Sequence, residues 1–127
     1  SDLNLGLTPV TVEVEIEDKT MAVVAKFIAG DKSALATLAN NQEQYHLPLV
    51  GMYGYYFLKI ADKTLDFEQS LALMMVAQKA INSPNLDIKI AKTQLKLGQT
   101  ANAKTTLNQL ITAKPDFKPA QDMLKTL

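Results

Sequence analysis

Cysteine, tryptophan and arginine are absent from this 127-residue chain, and histidine occurs once. Each absence removes a class of chemistry. Without cysteine there is no disulfide, no thiolate metal site and no cysteine nucleophile. Without arginine there is no bidentate fork for guanine edges or phosphate clamps, so nucleic-acid binding is not expected. A lone histidine, His46, supplies no histidine pair for a metal or a proton relay. It precedes "LPLV" in a connecting segment and is expected to be exposed. No G-x-S-x-G elbow, phosphate loop or dinucleotide fingerprint occurs. Asp62, Asp66 and Glu68 gather around a turn but lack the EF-hand spacing and its Gly, so helix capping by Asp66 is the better account. No catalytic residue, metal site or cofactor is predicted, and the expectation is a protein that is not an enzyme. No apolar run approaches the roughly 20 residues a membrane span needs, so a soluble chain with no membrane insertion of its own is expected.

What is present is an uneven charge and a strong periodicity. The formal net charge is zero, yet residues 1–18 carry five acids and no base, while 85–127 carry seven lysines and three acids. A chain of this length buries roughly two thirds of its unfolded surface and holds a core unaided. Residues 10–17, "VTVEVEIE", alternate strictly, with Val10, Val12, Val14 and Ile16 opposite Thr11, Glu13, Glu15 and Glu17, which predicts a strand within an N-terminal arm over 1–18. Glu13, Glu15 and Glu17 on one solvent face repel each other and make no acid and base pair. A single strand leaves its backbone groups unpaired. Three accounts follow: pairing with a second copy, which makes a homo-oligomer; pairing with something upstream; or an arm packed by its valine face. Asp18 is then expected to cap a helix over "KTMAVVAKFIA", stopped by Gly30, and Ser33 to open a shorter one over "ALATLANN". Further helices are predicted over 48–62, 66–82, 86–97, 100–113 and 117–127, and their short connections make neighbours antiparallel hairpins, an all-α fold beyond the arm.

The hairpins repeat. Pro48, Pro84 and Pro115 each follow a helical pattern and read as punctuation, since proline cannot continue a helix. Shifted by 33 residues, Phe57 falls on Ile90, Ser70 on Ala103, Met74 on Leu107 and Ala77 on Leu110; shifted by 68, Gly30 falls on Gly98, with "FIAGDKSA" over "LKLGQTAN". The units run over about 19–48, 49–84 and 85–115, closed by a helix over 117–127. A two-helix unit of about 34 residues with Gly98 at the turn, Ala103 early in the second helix, Leu107 four on and Pro115 at the close resembles the tetratricopeptide repeat. The chain departs from that family in having no Trp, Leu110 where Ala is usual and Leu65 at the middle turn where Gly is expected. The resemblance implies a short stacked array that binds proteins or peptides on a concave wall. By analogy of fold it also implies the soluble part of a larger bacterial assembly factor, periplasmic or cytoplasmic. No Met precedes Ser1 and no leader pattern occurs, so a trimmed or processed chain is expected, with any anchor or signal upstream.

Around the helix over 86–97, Leu86, Ile90 and Leu97 form one apolar flank and Ile88, Ala91 and Leu95 another, as a helix wedged between neighbours requires. Between the flanks run Lys89, Lys92 and Lys96. The matching strip one unit earlier is Tyr56, Lys59 and Lys63, with Met52 and Tyr55 beside it. Stacked units place these eight residues on the wall, where the lysines attract carboxylates and the tyrosines add apolar contact. No Arg or Asn lies on either strip, so the carboxylate clamp of some family members is not expected. The competing account of the lysines is a solvated face. In "GMYGYYF", Gly51 and Gly54 each cost roughly 1 kcal/mol in a helix interior, for which close approach of a neighbouring helix is the expected compensation. Two other functions stay open: a structural homo-oligomer, or a carrier of a small apolar ligand with Met52, Tyr53, Tyr55 and Tyr56 around a pocket at the two glycines.

Overall fold

The computed structural model describes residues 11–59 and 66–127, and the side chains of 19–55 and 66–127. Among the described residues there is no strand and there are seven helices: α1 Thr11–Ile28, α2 Ser33–Asn40, α3 Leu47–Lys59, α4 Phe67–Gln78, α5 Pro84–Lys96, α6 Thr100–Ala113 and α7 Lys118–Lys125. None of them is long and apolar enough to cross a membrane. The chain divides into two compact units, Ser1–Ile81 and Asn82–Leu127.

The strand expected over 10–17 is a helix from Thr11 onward. Periods of 2 and 3.6 share the positions i and i+4, so Val12 and Ile16 satisfy both. Continued in steps of four and three, the same series reaches Thr20, Val23, Val24 and Phe27, all of which are buried. A helix closes its own backbone hydrogen bonds, so the unpaired edge of a strand does not arise among residues 11–17; Val10 and the rest of the expected arm before it lie outside the described residues. For the same reason Asp18 lies inside α1 rather than capping it.

Two prolines also change role. Pro84 is the first residue of α5 and Pro48 the second of α3, so each opens a helix instead of closing a unit. Proline suits the first turn because the N–H it lacks has no intrahelical acceptor there. Ser83 completes the start of α5, its hydroxyl accepting from Leu86 N at 3.3 Å. At α4 the expected cap is present and doubled: Asp66 Oδ1 accepts from Gln69 N at 2.8 Å, and Gln69 Oε1 accepts from Asp66 N at 3.0 Å. At α2, Asp31 accepts from both the backbone and the hydroxyl of Ser33, and the hydroxyl bond first of all holds the Asp31 carboxyl below its ordinary range.

Helices α1 and α5 end alike. Gly30 and Gly98 both have positive φ, 115° and 75°. Gly30 N donates to Phe27 O and Asp31 N to Lys26 O, and at the second site Gly98 N donates to Leu95 O and Gln99 N to Gln94 O. Each is a Schellman closure, which satisfies carbonyls the helix end would otherwise leave open. Nothing lies within 4 Å of where a Cβ on Gly98 would sit, so a side chain there meets strain and no clash. Gly98→Ala is therefore expected to destabilise by about 1 kcal/mol through the left-handed backbone alone, and Gly98→Val by more. Thermal unfolding of both variants checks this; unchanged stability would mean that the turn is not left-handed.

In the first unit α1 packs on α2 and α3, α2 on α4, and α3 on α4. First helices thus meet first helices and second helices meet second helices. In the second unit α6 packs on both α5 and α7, around Ile88, Ala91, Ala103, Leu107, Leu110 and Ala120. Each second helix buries a small residue and, four positions on, a large one: Ala34 and Leu38, Ser70 and Met74, Ala103 and Leu107, none more than 3% exposed. The small residue lets the two backbones of a hairpin approach, and the large one fills the space the approach encloses.

Candidate partner-binding surface

Helix α5 is set by local chemistry at both ends. Ser83 and Pro84 start it, Asp87 stands in its first turn and Lys96 in its last, charges that suit the helix dipole. Both apolar flanks read from the sequence are buried except toward the end of the helix, where Leu95 and Leu97 are half-buried. Ile88 and Ala91 belong to the core shared with α6 and α7, with Leu95 packed against it, while Leu86 and Ile90 are buried on the other flank. Gln94, 5% exposed, faces α6, where its Oε1 accepts from the Thr106 hydroxyl at 2.8 Å. What remains outward is the lysine strip. Lys92 and Lys96 are exposed and Lys89 is half-buried, its carbonyl accepting from Thr93 Oγ1 at 2.9 Å. Spacings of three and four put the three lysines on one side of the helix.

The residues read from α3 are distributed differently. Met52 is 6% exposed and Tyr53 4%, so Met52 sits in the interior, and among the described side chains of this set only Tyr55, half-buried, offers surface. Tyr56 and Lys59 lie on α3 with side chains outside the described residues, and Lys63 lies outside them altogether. At Gly54 the helices touch: a Cβ there would stand 2.9 Å from Ser70 O and 3.1 Å from Leu73 Cβ, and Ser70 Oγ donates to Gly54 O at 2.8 Å. Helix α4 thus supplies the compensation expected for that glycine.

Sequence reasoning missed two features. His46 is half-buried, against the exposed position expected of it; its backbone N–H donates to Thr20 Oγ1 at 3.0 Å, and its Nδ1 is buried without a hydrogen bond. No local signal marks that joint, because its partner lies 26 residues away. The other is a shallow depression of about 420 Å³ along α6, lined by Thr105, Asn108, Gln109, Thr112 and Ala113. Its threonine hydroxyls donate back to Ala101 O and Asn108 O, and the lining holds no titratable group, so it offers amides and methyl groups rather than acid and base chemistry. Among the described residues no three of His, Asp and Glu are gathered where one metal ion would reach them. Comparison with known families, with characterised proteins and with solved structures returned no match to this chain.

Proposed function

We propose that this chain is a helical-hairpin repeat module of tetratricopeptide type that binds a segment of another protein, with the lysine strip of α5 as the part of the surface that receives acidic side chains. One observation carries the reading: the buried small and large pair recurs in the second helix of all three hairpins, at intervals of 36 and 33 residues. Two supports accompany it. The Schellman glycines Gly30 and Gly98 stand 68 residues apart, two repeat lengths, and α1 to α4 pack first on first and second on second. A first helix buried on two flanks has one side left for a partner, and on α5 that side is cationic. Tyr55 would add apolar contact. The reading assigns the chain no catalytic role.

The test is a selection of short peptides from a random display library on the immobilised protein, followed by solution affinities. The selected peptides should be enriched in Asp and Glu and should bind less tightly as salt rises. Exposed charge pairs contribute only about 0.2 to 1 kcal/mol each, so Lys92→Glu with Lys96→Glu, which also adds repulsion, is expected to weaken binding roughly 5- to 30-fold. Lys104→Glu with Lys125→Glu, exposed positions off the strip, should leave it alone. Equal weakening by both pairs would mean a diffuse attraction to net charge and no site on α5.

A further inference from the structure

We infer that a second copy of this chain is one occupant of the α5 lysine strip: the acidic start of α1 in one copy docks on Lys92 and Lys96 of another. This rests on the strip being a binding surface, as proposed above, and adds a partner and a means of self-regulation. The observation behind it is that the division of the chain into compact units is also a division of charge. Ser1–Ile81 holds six lysines against ten carboxylates, a formal −4, and Asn82–Leu127 seven lysines against three, a formal +4. A neutral molecule so divided has no net repulsion to keep copies apart and a strong attraction between unlike halves.

Within each half the charge is concentrated. Glu13, Glu15, Glu17 and Asp18 fall within the first eight residues of α1, and no base precedes Lys19. Lys92 and Lys96 are exposed on one side of α5, with Lys89 in line behind them. The helical start of α1 matters here. Backbone pairing between strands, the route to self-association read from the sequence, is not offered by a helix, whereas the acidic first two turns of α1 are drawn to a row of ammonium groups by charge alone. Occupation of the strip by another copy would compete with any acidic peptide and be released by salt or by a tighter ligand.

Sedimentation of the full chain over a concentration series tests this directly. At low ionic strength the weight-average mass should rise above that of the monomer with concentration, and at high salt it should return to the monomer. Lys92→Glu with Lys96→Glu should abolish the rise, as should Glu13→Lys with Glu15→Lys and Glu17→Lys, with helical content checked by circular dichroism. Mixed in equal amounts the two variants should associate again, because each then presents what the other lacks. Lys104→Glu with Lys125→Glu, the same change in net charge, should associate like the wild type. A synthetic peptide of residues 10–20 should bind the wild type and lose about tenfold in affinity on the strip variant, which keeps the test open if the α1 variant fails to fold. A monomer at every concentration and salt, or a mixture that stays monomeric, overturns the inference. If selected peptides still require Lys92 and Lys96 in that case, the proposed function stands without it.

Discussion

Truncating Leu107 to alanine is expected to cost about 2 to 5 kcal/mol, the range for deleting a fully buried leucine from a core that relaxes only in part. Leu107 is wholly excluded from water at the centre of the cluster joining α5, α6 and α7. The same cost is expected of Leu38→Ala and Met74→Ala, because both side chains are fully buried at the equivalent place in their own hairpins. Met75, next to Met74 but 44% exposed, is the control, and Met75→Ala should stay within about 0.5 kcal/mol. Denaturant unfolding of the four variants measures all of this. If one of the three buried positions behaved like Met75, its hairpin would not share the packing of the others and the proposed repeat would not extend to it.

Gly54→Ala is expected to destabilise by about 1 to 3 kcal/mol, the usual cost of overpacking. The sign is what makes the substitution informative. In an exposed helix interior the same change would stabilise by about 1 kcal/mol through helix propensity. Here the new Cβ would stand 2.9 Å from the backbone oxygen of Ser70, an atom that cannot swing aside, so α3 and α4 must separate. Ser70→Ala should cost less, about 1 kcal/mol, since it removes the hydroxyl bond to Gly54 O and leaves the approach of the helices intact. A Gly54→Ala protein as stable as the parent in calorimetry would place the contact elsewhere.

The parts of the fold that were legible are those governed by a few neighbouring residues. Gly30 and Gly98 end helices because a left-handed residue is cheap only for glycine, and Asp66 with Gln69 starts one because each side chain reaches the other's backbone. The strip of Lys92 and Lys96 was legible too, since two apolar flanks on one helix leave a single direction for charge. Met52 was not, because α3 is apolar around most of its circumference and no stripe says which side turns inward.

Sequence alone, then, determined where most of the helices begin and end and which side of α5 carries charge, since these depend on hydrogen bonds and spacing over five or six residues. Tertiary structure decided the rest. The start of α1 is helical although its alternation equally fits a strand, because one period continues into Thr20, Val24 and Phe27, buried in a unit where α1 packs on α2 and α3. His46 is drawn inward by Thr20, and Gly54 is closed by Ser70. In each case the deciding partner lies on another helix, and only its arrival in space selects between local conformations of nearly equal free energy.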